Sequence, residues 1–155
     1  MVIYSTRLGE VTAQPEDLIF FAEGFLGLPE WQSGVLVPVP EAPLFYWLQF
    51  THDPEAAFLL LEVQDFAPDF DLALAREAAN LGEKARVLSI VTVPAGNFSR
   101  STANLLAPVV ISWPGDMGPG QKTGHERPAP ARQGKQVVLH DTDYPLRYPL
   151  FGGAK

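Results

Sequence analysis

The stretch Ser101-Thr-Ala-Asn-Leu-Leu-Ala-Pro-Val-Val-Ile-Ser112 decides how this chain folds. Its first half is small and polar, with Thr102 and Asn104, and its second half is apolar and β-branched. Pro108 separates the halves, and because proline has no N–H to donate to a neighbouring strand, it marks a strand start, a bulge or an edge. The segment therefore predicts a polar corner that leads into a buried strand.

Apolar, β-branched runs lie on both sides of this stretch, and several of them are apolar at odd and even positions alike. Such strands are covered on both faces. In a chain of this size the pattern predicts an all-β (mainly β) fold: a small antiparallel β-barrel-like domain, closed or nearly closed, or a sheet with one face reserved for a partner. One or two short helices complete it. The predicted strands lie near residues 2–6, 9–13, 34–39, 45–51, 56–63, 86–93, 106–112 and 135–140.

Three details refine this expectation. Pro38 interrupts the third predicted strand, which favours an edge position. The runs 45–51 and 56–63 are joined by a polar, turn-prone spacer and form a predicted hairpin. Within Glu23-Gly-Phe-Leu-Gly-Leu-Pro-Glu30 the apolar side chains either plug the core or form an exposed knob, and we favour the plug. These side chains are Phe25, Leu26 and Leu28.

One helix is predicted near 72–81. Asp71 is a suitable N-cap, and Gly82 is a suitable residue for its C-terminal end. Leu74, Ala78 and Leu81 follow the helical spacing and form its predicted apolar face.

The segment 114–134 contains five glycines and four prolines and has almost nothing to bury. We expect a flexible Gly/Pro-rich loop within a single domain that spans 1–155, and deletion of much of 116–132 should change stability little. After it, the segment 141–151 is expected to be extended and held by its apolar side chains. These are Tyr144, Leu146, Tyr148 and Phe151.

Composition excludes several classes of protein. At 155 residues with 46% hydrophobic and 19% charged residues, the chain is an ordinary globular domain. No apolar run approaches the roughly 20 residues of a membrane span. The N-terminus lacks the features of a signal peptide, so we expect a cytoplasmic protein with no membrane contact. The absence of cysteine removes disulfides, thiolate metal sites and cysteine nucleophiles.

The net charge of −7 is unevenly distributed. Residues 10–83 contain fourteen acidic residues and a single basic one, Arg76, whereas residues 84–155 contain nine basic and four acidic residues. An acidic half repels nucleic acid and attracts a basic partner, although an acidic surface also serves solubility alone. Tyr46, Trp47 and Phe50 could stack on bases, but that half lacks the basic groove of a nucleic-acid-binding protein, so we expect no direct nucleic acid binding.

The sequence offers only weak candidates for a metal site or a catalytic site. His140, Asp141 and Asp143 could offer ligands to a metal, which leaves a metal-dependent hydrolase as one alternative, but turn-capping aspartates explain them more simply. Asp69 and Asp71 flank a predicted helix start. A second alternative is a barrel that binds a small apolar ligand, given the aromatic residues between 45 and 58. We predict no catalytic residue, no metal site and no cofactor.

Five segments, in order, resemble the flagellar assembly factor FliW family. The signature is Thr102-Ala-Asn-Leu-Leu-Ala-Pro-Val-Val-Ile111. The other four are Ile3-Tyr-Ser-Thr-Arg-Leu-Gly-Glu10, Glu23-Gly-Phe-Leu-Gly-Leu-Pro-Glu30, Ile90-Val-Thr-Val-Pro94 and Gly134-Lys-Gln-Val-Val-Leu-His-Asp-Thr-Asp-Tyr-Pro-Leu-Arg147.

The resemblance implies a binding protein and not an enzyme, monomeric when free. Proteins of this family bind CsrA, the carbon storage regulator, a small basic RNA-binding homodimer. They antagonise it non-competitively and so relieve its repression of flagellin translation. They also bind flagellin in a partner switch. An acidic half that steers toward a basic dimer agrees with this role.

The resemblance is densest at Thr102, Asn104, Leu105, Ala107 and Pro108, which we predict to form the partner-binding surface or its immediate support. A polar pair, a small residue and a proline at a strand entrance would leave backbone groups available to a partner chain. A structural explanation stands beside this one, in which Asn104 holds a turn and Leu105 belongs to the core.

Overall fold

The computed structural model describes residues 2–113 and 132–151. Within this part of the chain there are eleven strands, one α-helix and three short 3-10 turns. The strands are β1 (Val2–Ser5), β2 (Gly9–Thr12), β3 (Ile19–Phe20), β4 (Ser33–Val39), β5 (Ala42–Phe50), β6 (Ala57–Glu62), β7 (Arg86–Thr92), β8 (Thr102–Ala103), β9 (Val109–Ser112), β10 (Arg132–Gln136) and β11 (Tyr148–Pro149). The helix is α1 (Leu72–Ala79), and the 3-10 turns are Pro15–Asp17, Val63–Asp65 and Phe98–Arg100. None of the helices in the described residues is long and apolar enough to cross a membrane.

Seven strands close a barrel in the order β7-β6-β5-β4-β3-β10-β9, and a pairing between β9 and β7 completes the ring. The predicted mainly β, barrel-like fold is therefore confirmed, as is the β5–β6 hairpin. One pair departs from the antiparallel expectation, since β10 runs parallel to β3. Outside the ring, β8 pairs with the end of β7 and with β11, while β1 and β2 form a separate hairpin.

Three apolar clusters explain why so many strands are apolar at odd and even positions alike. The barrel interior holds side chains from β3, β5, β6, β7 and β9, including Ile19, Phe50 and Leu60, together with Phe21, which follows β3. A second cluster joins α1 and the segment after β10 to the outside of β7 and β9. A third places the β1–β2 hairpin against Val35 and Val37, on the outside of β4.

The helix begins as predicted and ends differently. The Leu74 N–H donates to the Asp71 carboxylate at 3.1 Å, which is an N-cap. The left-handed residue at the C-terminal end is Asn80, with φ of 56°, and not Gly82. The predicted apolar face is also wrong at one position, because Ala78 is exposed, whereas Ala75 and Ala79 are buried against the barrel.

Several predicted boundaries need correction. The last long strand is 132–136 and not 135–140, so Arg132, Gln133 and Gly134 belong to β10 and not to the predicted 114–134 loop. The rest of that loop, 114–131, lies outside the described residues. The strand predicted over 106–112 begins only at Val109. Three two-residue strands, β3, β8 and β11, were not predicted, because two residues are too short to carry a periodic pattern.

Pro38 does not mark an edge strand, because β4 pairs with β3 on one side and β5 on the other. The β3 pairing reaches only Ser33 and Gly34, however, so it leaves the Pro38 end of β4 beyond it. The missing N–H of Pro38 therefore costs no ladder bond to β3.

The 23–30 segment plugs the barrel, as favoured from the sequence. Phe25 is buried and its ring centroid lies 4.8 Å from that of Phe21 and 5.4 Å from that of Phe50. Leu28 is half-buried against the same cluster, whereas Leu26 is exposed. Gly24 has φ of +64°, and a Cβ there would clash with the Pro29 carbonyl oxygen, so the turn requires glycine.

Candidate protein interface

The polar corner between β8 and β9 is organised by Asn104. Its Oδ1 accepts hydrogen bonds from the backbone N–H groups of Leu106, at 3.1 Å, and Ala107, at 3.0 Å. Its own backbone N–H donates to the Ile90 carbonyl, and its carbonyl accepts from the Ser89 hydroxyl at 2.7 Å. The half-buried Asn104 side chain therefore closes a turn.

The residues that follow Asn104 lie inside the protein. Leu105 is 3% exposed and packs with the α1 cluster, and Ala107 and Pro108 are buried as well. The Ala107 carbonyl accepts from the Gln136 side-chain amide at 3.1 Å, and the Pro108 carbonyl accepts from the Val137 N–H at 3.0 Å. The expectation that this corner leaves its backbone groups free for a partner is thus wrong for these carbonyls. Leu105, Ala107 and Pro108 are thus buried, and their part in partner binding stays a prediction.

The first residues of the corner, Ser101 and Thr102, hold neighbouring segments of the chain in place. Thr102 lies in β8, paired with Thr92 of β7 on one side and Pro149 of β11 on the other. The Ser101 N–H and hydroxyl both donate to the Phe98 carbonyl, at 3.1 and 2.7 Å, and the Ser101 carbonyl accepts from the Leu150 N–H. The corner therefore fixes Phe98 and the C-terminal segment to the barrel wall.

An apolar surface lies at this point on the outside of β5 and β6, and we call it the aromatic strip. Tyr46, Leu48 and Phe50 point into the barrel, so alternate residues of β5 point outward. The strip consists of Phe45, Trp47, Leu59, Phe98 and Phe151.

The strip is continuous across four segments, which are β5, β6, the 3-10 turn that contains Phe98 and the C-terminal segment that contains Phe151. Trp47 of β5 is in register with Leu59 of β6. The Phe98 ring centroid lies 5.8 Å from that of Phe45 and 5.2 Å from that of Phe151. Phe98 is nevertheless 48% exposed and Phe151 39% exposed. Clustered exposed aromatic side chains of this kind mark protein-binding surfaces and supply the anchors of interfaces.

Sequence reasoning found only part of this surface. From the sequence, Phe45 and Trp47 were identified only as aromatic residues of a predicted strand. Phe151 was identified only as a residue that holds the C-terminal segment. Phe98 was not singled out, because it lies in a single 3-10 turn between two strands. The sequence pattern that indicated an apolar outer surface was the apolar character of β5 and β6 at odd and even positions alike.

The acidic half of the chain is largely at the surface. All fourteen acidic residues between 10 and 83 are exposed except Asp17 and Glu62, which are half-buried. A carboxylate oxygen of Asp17 lies 3.7 Å from a guanidinium nitrogen of Arg132. A carboxylate oxygen of Glu62 lies 3.6 Å from a guanidinium nitrogen of Arg86. Burial raises the pKa of the Glu62 carboxyl above its ordinary value, and Asp65 adds to this, whereas the Arg86 and Arg76 guanidinium groups oppose it.

The alternative sites have simpler explanations. Thr142 closes a turn at the 140–143 segment, since its hydroxyl donates to the Leu139 carbonyl at 2.8 Å. Across residues 2–113 and 132–151, no group of three His, Cys, Asp or Glu side chains is placed to hold a metal ion. Asp71 caps α1. The aromatic residues considered for a ligand cavity pack against one another in the barrel interior, where the Phe50 and Phe58 ring centroids are 5.9 Å apart.

Comparison with known proteins supplies the family context. Residues 2–118 match the family model described as FliW protein. A protein of Moorella thermoacetica, named flagellar assembly factor FliW, is 33% identical over 97% of this chain and 89% of its own length. One of Bdellovibrio bacteriovorus with the same name is 36% identical over 97% of this chain and 79% of its own length. A solved structure described as the crystal structure of the flagellar assembly factor FliW superposes with a TM-score of 0.75 at 25% identity, over the whole of both chains.

Proposed function

The chain belongs to the FliW family of flagellar assembly factors, and from this premise we propose that it binds CsrA and flagellin in turn, with the aromatic strip as its partner surface. Binding to CsrA relieves repression of flagellin translation without competing for the RNA site. Flagellin displaces CsrA when it accumulates. The role is one of binding and not of catalysis, exerted by a monomer in the cytoplasm, where both partners are made.

The observation that carries the proposal is the exposure of Phe98 and Phe151 on a strip that is otherwise built from half-buried strand residues. Aromatic side chains lose little conformational entropy on binding and fill pockets of a partner, so a few of them account for most of the free energy of an interface. Arg7 extends the strip, since its guanidinium lies 4.9 Å from the Trp47 ring centroid. A rim that combines apolar anchors with one such cation is typical of protein interfaces.

The corner residues enter this proposal as the support of the strip. Thr102 holds β8 between β7 and β11, and Asn104 closes the turn behind it. Leu105, Ala107 and Pro108 fix the corner from inside the core. A change at these positions would act on partner binding through the position of Phe98, which Ser101 holds at its carbonyl.

Charge supports CsrA as the partner more than it supports a neutral protein. Twelve exposed acidic residues give the first half of the chain a net negative surface charge, which accelerates association with a basic dimer and disfavours RNA near the complex. We therefore expect the association rate with CsrA to fall as ionic strength rises. A rate that does not respond to salt would leave the acidic residues with a role in solubility alone.

The decisive experiment compares two exposed phenylalanines, one on the strip and one away from it. Phe98 and Phe20 are 48% and 45% exposed, so their replacement by alanine removes a similar exposed ring. We expect Phe98→Ala to weaken CsrA binding by about tenfold or more, which is roughly 1.4 kcal/mol, and Phe20→Ala to leave it nearly unchanged. Calorimetric titration with purified CsrA measures both. Equal affinities for CsrA in the two variants would refute the strip as the binding surface, and the same pair tested with flagellin shows whether the two partners share it.

A further inference from the structure

Strand β1 has one free edge. It pairs with β2 along one side only, and in the described residues no strand lies along its other side. Just beyond β1, the Thr6 N–H donates to the Pro54 carbonyl at 2.9 Å, on the side away from β2. Because alternate residues of a strand direct their backbone groups to the same side, the N–H and carbonyl groups of Val2 and Tyr4 face that side as well. These groups are a template for one more strand.

A groove of about 330 Å³ runs along this edge. One wall is β1, and the opposite wall is the barrel rim, where the Thr51 N–H donates to the Ser33 carbonyl at 2.9 Å. The Tyr4 side chain at its mouth is exposed. The residues that line the groove are Val2, Ile3, Tyr4, Leu18, Ser33, Thr51 and Pro54. Apolar side chains predominate among them, so the groove suits an aliphatic side chain of a bound segment.

The border of the groove is acidic. Asp53 and Glu55 flank Pro54 on both sides in the chain, and the Asp53 carboxylate accepts from the Glu55 N–H at 2.9 Å, which fixes both residues on one turn. Glu10 is the cross-strand partner of Tyr4 on β2. All three carboxylates are exposed, whereas the basic residue of the hairpin, Arg7, lies over Trp47 on the aromatic strip.

We propose that the free edge of β1 and this groove bind an extended, basic segment of a partner protein, which adds a third strand to the β1–β2 hairpin. The segment forms backbone hydrogen bonds with Val2 and Tyr4, places an aliphatic side chain in the groove, and directs lysine or arginine side chains toward Asp53, Glu55 and Glu10. This surface shares no residue with the aromatic strip. The inference therefore stands independently of the CsrA and flagellin proposal.

The test uses a defined probe, an eight-residue peptide of alternating lysine and valine, acetylated, amidated and labelled with fluorescein. A glutamate–valine peptide of the same length is the charge control. Two N-methylated lysine–valine peptides, one methylated at the lysine amides and one at the valine amides, remove the N–H groups of one peptide edge each. We expect the glutamate peptide to bind at least tenfold more weakly than the lysine peptide, and one of the methylated peptides to lose about tenfold in affinity while the other binds normally.

The result that overturns the proposal is equal affinity for both methylated peptides, or no saturable binding of the lysine–valine peptide. These peptides leave the protein unchanged, so they decide the question even if a protein variant folds poorly. On the protein side, Tyr4→Pro removes an N–H from the free edge and Tyr4→Ala retains it. We expect only Tyr4→Pro to lose about tenfold in peptide affinity, and we expect Phe98→Ala to bind the peptide normally whatever its affinity for CsrA.

Discussion

Two parts of the barrel's outer wall carry similarly apolar side chains but have different surroundings. Val87 of β7 and Val110 of β9 point outward and are 2% and 0% exposed, because α1 and the segment after β10 lie on them. Trp47 of β5 and Leu59 of β6 also point outward, but they stay half-buried. The first pair forms what we call the covered wall, and the second pair belongs to the open wall with its aromatic strip.

The difference teaches that an apolar outward row on a closed barrel does not by itself identify the function of that row. Covering such side chains stabilises the fold by about 1.5–3 kcal/mol each, whether the cover is part of the same chain or a partner. In the covered wall this free energy is gained when the chain folds, because the cover is part of the same chain. In the open wall it remains available for binding, which is the physical basis of the proposed partner surface.

The largest expected effect is in the cluster over the covered wall, where Leu105 packs with Val87 and Val110. Leu105→Ala removes a side chain that is 3% exposed and leaves a cavity beneath the corner, so we expect the free energy of unfolding to fall by about 2–4 kcal/mol. Leu59→Ala, on the open wall, is the matched control, and we expect it to lose less than about 1.5 kcal/mol. Urea unfolding followed by tryptophan fluorescence measures both. Similar losses at the two leucines would mean that the two walls do not differ in the way described.

An intermediate effect is expected at Asn104. Replacement by alanine leaves the Leu106 and Ala107 N–H groups without their acceptor, so we expect a loss of about 1–2 kcal/mol in the free energy of unfolding. A direct role of the Asn104 side chain in partner binding would instead leave the melting temperature nearly unchanged and weaken CsrA binding by about tenfold. Asn104→Asp keeps an acceptor oxygen and should retain most of the stability. If Asn104→Ala melts normally and binds CsrA poorly, the side chain acts on the partner and not on the turn.

The smallest effect is expected where the two walls meet, at Glu62 on the end of β6. Because burial raises the pKa of this carboxyl, the neutral form is favoured in the folded protein. Its stabilising contribution is fully present below the pKa of the unfolded chain and is lost as pH rises through the higher folded pKa. We therefore expect the stability of Glu62→Gln, measured relative to the unsubstituted protein, to increase as pH rises from about 4 to 7.

Urea unfolding at four pH values between these limits gives this difference directly. A relative stability of Glu62→Gln that falls with rising pH would show that the Arg86 guanidinium, 3.6 Å away, outweighs the burial of Glu62. Arg86→Lys is a useful companion variant, because it keeps the charge and removes the guanidinium that lies 4.4 Å from the Trp113 ring centroid.

Prediction from the sequence succeeded where a local pattern carries the information. Asp71 marks the start of α1 because an N-cap bonds within one turn of the helix. The long strands were found because β-branched and aromatic runs favour extended backbone whatever they pair with. The candidate site was harder. The corner from Thr102 to Pro108 was identified, but its burial and its bonds to Gln136 and Val137 were not, since those partners lie far away in the chain.

The sequence by itself determined that this chain forms a mainly β domain with strands apolar on both faces, an acidic first half and a capped helix. Only the tertiary structure decided which outward rows are covered, that β10 runs parallel to β3, and that Phe98 meets Phe45 and Phe151 on one surface. The physical reason is the range of the interactions. Strand propensity and helix capping depend on neighbours a few residues away, whereas strand pairing and the covering of a wall depend on segments brought together only when the barrel closes.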